Sequence, residues 1–186
     1  MREELAQAIK EIYPFSSDEQ SEEGQILSED CNIEPDSKHY WLYAPGEKAF
    51  LWDEFYDEGI MGIGWAEIDD LHNYKTKDEI RTKLQEYYNN NNTFHNDTLA
   101  LWQFAYEMKN GDIVFVKDGL YKIIGYGIIV SDYYYDDERD IFKHIRKVKW
   151  IRKGIWEHPG RAAMKTLTDI TKYRDYVQKL LVLCKI

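Results

Sequence analysis

The sequence predicts an α+β fold, with about five or six strands in a curled mixed sheet or small β-barrel and helices packed over one opening. Three observations lead to it. Residues 101–137, LWQFAYEMKNGDIVFVKDGLYKIIGYGIIVSDYYYDD, run from a helical pattern through Asn110-Gly111-Asp112 into two strands joined at Asp118-Gly119. The second strand is apolar on both faces, as a central strand is. It carries Gly125 and Gly127 on one face, where they permit sharp coiling or close approach of another group. Tryptophans and tyrosines stand at element ends, with three tyrosines just past that strand. The layout is that of a barrel with an aromatic mouth. Such a mouth suits a flat ligand, and an unstacked nucleobase is flat with a polar edge.

The elements follow in order. Residues 2–13 pattern as a short helix with Leu5, Ile9 and Ile12 on one side, stopped by Pro14. Residues 16–37 are polar, acidic and aperiodic, which reads as a linker. Residues 1–37 are thus an extension and residues 38–186 the folded domain. Residues 40–44 (YWLYA) form a strand ended by Pro45-Gly46. A short helix over 48–58 buries Leu51, Trp52 and Phe55, and Gly59 closes it in the left-handed conformation. Residues 60–65 (IMGIGW) are the next strand. Thr76 and Glu79 form a capping box for a helix that buries Ile80, Leu84 and one of Tyr87 and Tyr88. Asn96 or Asp97 caps a further helix facing inward with Leu101, Trp102, Ala105 and Met108, and Gly111 ends it. Residues 113–117 and 121–130 pair as a hairpin across a two-residue turn. Residues 145–153 form a basic strand, and residues 169–183 a closing helix with Ile170, Tyr173, Val177 and Leu180 buried.

Charge is unevenly spread. Residues 1–36 hold eleven Asp/Glu against two Lys/Arg, so the rest of a chain of net charge −10 carries only −1. Residues 143–165 reverse the sign, with eight Lys/Arg against one acid, Glu157. This excess is a phosphate footprint formed by Lys143, Arg146, Lys147, Lys149, Arg152 and Lys153, or else a strand edge kept soluble by cations. Cys31 and Cys184 have no metal or redox spacing. No apolar run reaches the roughly 20 residues of a membrane span, and the N-terminus lacks a signal-peptide core. A cytoplasmic protein is expected.

Catalytic patterns are scarce. The five histidines show no HExxH or HxxxH spacing. YAPGEK lacks the spacing of a phosphate loop, and no GxSxG occurs. No cofactor, no metal and no enzyme activity are expected. The aromatic residues are the stronger signal. Trp65 follows Gly62 and Gly64 and precedes the acidic turn of Glu67 to Asp70, so it stands at a strand edge. A base-binding pocket is expected from Trp65 and the Ala66 carbonyl, with Trp52, Tyr43, Tyr133 and Tyr135 as rings, and with Asp53 and Ser131 to orient the base edge. Core packing is the favoured reading for each tryptophan taken singly, Trp65 excepted. Stacking is worth roughly 1–3 kcal/mol per base. One enclosed methyl adds on the order of 1 kcal/mol.

The segments YWLYAPGE, GIMGIGW, ALWQFAYEMKNGDIVFVK, IIGYGIIVSDYYYD and KVKWIRKGIW followed by KTLTDIT resemble the EVE-type domain of the PUA-like superfamily. The version they resemble more closely stands at the N-terminus of proteins related to the 5-methylcytosine-specific restriction enzyme B family. The resemblance covers about residues 40–176. It implies a non-catalytic sensor of a modified base in DNA that flips the base, working beside an AAA+ motor and a separate nuclease. YTH readers of N6-methyladenine in RNA are similar relatives, so an RNA-binding module is the alternative, and a small-molecule hydrolase-type pocket another. Trp65 falls where the YTH pattern places a cage tryptophan, and the Ala66 carbonyl would meet the modified amino group. After Ser131-Asp132-Tyr133 the chain continues with tyrosines where YTH domains carry further cage tryptophans.

Overall fold

The structure, a computed structural model, describes residues 38–185. The helix expected over 2–13 and the linker over 16–37 lie outside the described residues. Strand β1 (Tyr40–Tyr43) is followed by a 3-10 turn at Glu47–Ala49 and helix α1 (Trp52–Glu58). Strand β2 (Ile60–Ile63) leads to helices α2 (Lys77–Tyr88) and α3 (His95–Trp102), the latter continuing as a π-helical turn at Gln103–Glu107. Strands β3 (Ile113–Asp118), β4 (Lys122–Ile129), β5 (Tyr134–Tyr135), β6 (His144–Glu157) and β7 (Leu167–Asp169) precede helix α4 (Arg174–Cys184).

The fold is α+β, a curled mixed sheet with flanking helices. Its order is β2-β6-β4-β3-β1-β7, with β5 also on β6. Strands β1 and β3 pair in parallel, Tyr40 opposite Ile113 and Tyr43 opposite Val116, while β7 runs antiparallel to β1 on its other side. The carboxyl ends of β1 and β3 therefore open at the same end of the sheet as the start of β7.

Each face of the sheet has its own core. One gathers Trp41, Tyr43, Val114, Val116 and Val148 against Trp52 and Phe55 of α1, Ile80 and Leu84 of α2, and Leu101 of α3. The other packs Leu42, Phe115, Ile123 and Tyr126 under Tyr176, Val177 and Leu180 of α4. Successive β1 residues serve opposite cores because side chains alternate along a strand. Full burial of each large apolar side chain is worth about 1.5–3 kcal/mol. The buried carboxylate of Asp112 ties β1 to the entry of β3. It accepts from the His39 N–H (3.0 Å), the Trp41 indole (2.8 Å) and the Lys109 N–H (2.9 Å).

Local chemistry explains several boundaries. Gly59 ends α1 at φ 66°, where a Cβ would be strained. The Thr76 side chain accepts from the Glu79 N–H at 3.2 Å, and Glu79 reaches back to the Lys75 N–H at 2.5 Å. This matches the expected capping box with its return bond one residue earlier. Gly125 and Gly127 do admit close approach: a Cβ on Gly125 would lie 2.3 Å from the Trp52 ring, and one on Gly127 2.7 Å from Trp150.

Other expectations change. The helix expected from residue 48 begins at Trp52, because Lys48 and Ala49 take left-handed φ of 52° and 54°. Tyr87 and Tyr88 are both exposed. Phe104 takes the inward position expected of Ala105, since the π-turn rotates the face. Asp118 pairs with Lys122, so the hairpin turn has three residues, with Gly119 at φ 62°. Strand β7, inside a region read as loop and helix, closes the edge beside β1.

Candidate nucleic-acid interface

Where β1, β3 and β7 open together, the sheet end holds a cavity of about 620 Å³. This falls within the roughly 300–1,000 Å³ usual for small-molecule sites. Trp65, partly buried against the inner core, lines it just past β2. Phe142, Tyr88 and Met164 add apolar surface, and Lys48, Lys117 and Lys165 add cations. Glu47 and Glu67 supply the opposite sign, and the Glu67 carboxylate is engaged by the Tyr88 hydroxyl.

Trp65 is held by its backbone. Its φ is 62°, a left-handed conformation that is uncommon for a bulky side chain. Its carbonyl accepts from the Ile68 N–H at 2.9 Å and lies 3.2 Å from His144 Nε2. The other ring nitrogen, Nδ1, is 3.0 Å from the Tyr133 hydroxyl, which accepts from the Leu71 N–H at 3.1 Å. These partners assign a neutral imidazole, protonated on Nε2, that receives from Tyr133 and donates to Trp65. Buried His144 thus fixes the turn that presents the indole.

His144 and His158 are both pushed down to about 4 by burial. Each is neutral in the fold, whereas the unfolded chain takes up the proton from about pH 6.5 downward. Stability is therefore complete above about pH 6.5 and falls as the pH drops toward 4, by up to about 3 kcal/mol per histidine. Urea midpoints across that window should decline, and His144→Gln should flatten the decline. An equal slope in that variant would contradict the assignment.

The other expected pocket residues lie elsewhere. Tyr43 is fully buried, its hydroxyl donating to the Gly62 carbonyl (2.6 Å) and accepting from the Gly62 N–H (3.2 Å). Trp52 is buried beneath Gly125, edge-on to Trp150 at 4.8 Å. Tyr133 is buried in the histidine relay. Trp52 fills the space that Gly125 leaves, and all three rings belong to the inner core. Tyr135 lies beside His144 with centroids 5.5 Å apart. Ala66 follows in the turn and does not line the cavity. Asp53 is exposed and pairs with Lys153 at 2.7 Å. The Ser131 hydroxyl accepts from the Lys147 N–H at 2.7 Å, joining β4 to β6.

The expected phosphate contacts divide as well. Arg146 is a correction: it is buried, donating to the carbonyls of Phe104 (2.7 Å), Ser131 (2.8 Å) and Ala105 (3.1 Å). Burial lowers its pKa to about 10. Arg152 donates to the Cys184 carbonyl at 3.2 Å, and Lys143 to the Asp137 carbonyl at 3.1 Å. Lys147 and Lys149 are exposed on β6. At about 3.3 Å per residue they lie some ~10 and ~16 Å along the strand from His144.

Sequence reading missed the cavity's cations and its second aromatic wall. Lys48, Lys117, Phe142 and Lys165 lie in four separate segments that meet only through the sheet pairing. Among the described residues, no helix is long and apolar enough to cross a membrane. No group of three or more His, Cys, Asp or Glu among them could hold a metal.

Residues 41–174 match the family described as a domain of unknown function (DUF8426), and the chain belongs to that family. None of the curated proteins compared with it matches. Among solved structures, it is similar to the Mmi1 YTH domain, at 12% identity and a TM-score of 0.44, covering 78% of this chain and 74% of that one. It is also similar to protein Atu2648 from Agrobacterium tumefaciens, at 14% identity and a TM-score of 0.34, covering 79% and 91%.

Proposed function

We propose that the cavity beside Trp65 receives a single nucleobase extruded from a strand, and that the protein is a non-catalytic reader of a modified base. The observation that carries this reading is the partly buried Trp65, held in a left-handed turn by His144 at the edge of a cavity of about 620 Å³. A fixed ring beside an open volume suits stacking, because little freedom is lost when the base arrives. Stacking at roughly 1–3 kcal/mol and an enclosed methyl at on the order of 1 kcal/mol together offset an extrusion cost of a few kcal/mol.

Modified DNA is the favoured ligand. The sequence resemblance to EVE-type domains supports it, and extends the proposal to a specificity role beside an AAA+ motor and a nuclease. RNA is the second reading, favoured by the resemblance to YTH domains. The test is a binding panel of identical DNA duplexes, each carrying one modification, with matched RNA, at fixed salt. The wild-type protein should prefer one modified duplex by about tenfold. Trp65→Ala should bind modified and plain duplexes alike. Undiminished discrimination by that variant would refute the site.

A further inference from the structure

We propose that the rim of this cavity is also an anion site, in which Lys48, Lys117 and Lys165 hold the phosphate flanking the inserted base. The inference rests on the base-reading function above. It narrows the ligand to a nucleotide within a strand, as opposed to a free base.

The three lysines come from distant segments: the turn after β1, the end of β3, and the approach to β7. Parallel pairing of β1 with β3, and β7 beside β1, brings them to one rim. Lys48 and Lys165 are exposed, and neither has an ion-pair or hydrogen-bond partner among the described residues. Lys117 is only 5% exposed, and its ammonium makes one long hydrogen bond, 3.4 Å to the Gly119 carbonyl. An ammonium has three hydrogens to place; burial with so few acceptors disfavours its charged form and lowers the Lys117 pKa, and an anion beside it would relieve that cost. The adjacent carboxylate of Asp118 is shared with Lys122, 3.5 Å away. Of the two acids on the rim, Glu67 accepts from the Tyr88 hydroxyl and Glu47 is exposed.

The backbone points to the same place. Lys48 and Trp65 line the cavity with left-handed φ of 52° and 62°, and Ala49, next to Lys48, has 54°. Such conformations in residues other than glycine cluster at ligand clamps. An aromatic cavity alone would also suit a methylated ammonium group. Three lysines against the two carboxylates of Glu47 and Glu67 leave the lining with an excess of cations, which favours a phosphate over a cation.

The test uses the full chain and a short single-stranded oligonucleotide carrying the modification preferred in the panel. A second oligonucleotide replaces the two flanking phosphodiesters with uncharged methylphosphonates. Wild-type protein should lose about tenfold or more in affinity for the uncharged probe. Lys117→Met, and separately the double variant Lys48→Gln with Lys165→Gln, should bind the charged probe more weakly and lose little further on the uncharged one. Both should keep the modified-to-plain ratio. The double variant changes only exposed side chains, so it decides the matter even if Lys117→Met misfolds. If the variants lose as much as wild type on the uncharged probe, the anion site is overturned and base reading stands. If wild type ignores the modification yet keeps the lysine-dependent loss, base reading fails and the anion site stands. No binding of either probe overturns both.

Discussion

Gly125→Ala is expected to destabilise the protein by about 3 kcal/mol or more, at the upper end for an overpacked core. The added Cβ would sit 2.3 and 2.7 Å from two ring carbons of Trp52 and 3.0 Å from the Arg152 carbonyl of the neighbouring strand. Neither neighbour can yield easily. The Trp52 ring is wedged edge-on between Trp150 at 4.8 Å and Tyr56 at 5.4 Å. The carbonyl belongs to the ladder in which Tyr126 pairs with Arg152. Gly64→Ala is the control, since a Cβ there meets nothing within 4 Å, and it should change stability by less than about 0.5 kcal/mol. Denaturant midpoints for the two variants check this, and equal losses would remove the steric argument.

Arg146→Met should cost about as much for a different reason. The carbonyls of Phe104 and Ala105 stand in the last turn of the α3 extension, where backbone acceptors lack partners within the helix. Arg146 reaches both from β6 and adds the Ser131 carbonyl at the end of β4. One side chain thus satisfies a helix end and a strand end, and its charge lies where the helix dipole favours a cation. Methionine keeps the volume and leaves three buried or partly buried acceptors unmet, at roughly 1–3 kcal/mol each. Removing a buried charge offsets part of this, so a net loss of about 3 kcal/mol is expected. Calorimetric unfolding of the variant measures it, and an unchanged midpoint would mean that water replaces the guanidinium.

The same two residues show what could be read from the sequence. The glycine pair at 125 and 127 announced a close approach, because small residues in an apolar strand leave room for a neighbour. The sequence does not say that the neighbour is Trp52. A ring in a ligand cage and one in a core have the same composition and similar spacing, so the aromatic pattern admits Trp52, Tyr43 and Tyr133 to a pocket although they fill the interior. Arg146 was hidden likewise: a cation among cations on one strand reads as exposed, and its burial comes from carbonyls some 40 residues earlier. Gly59, Thr76 and the α+β class were legible because short-range geometry fixes them. Lys117 and Lys165 acquire a common position only through pairing partners far along the chain.

The parallel pairing of β1 with β3, completed by β7, has a consequence for when the protein acquires its ligand site. The cavity joins Ala44 at one wall to Thr166 at another, so it needs both ends of the domain. A nascent chain halted before Leu167 would lack the strand that borders β1. Long-range closures of this kind form slowly. Affinity is thus expected to emerge abruptly once residues 167–169 pair with β1, and no fragment ending before Leu167 should compete for the nucleic acid.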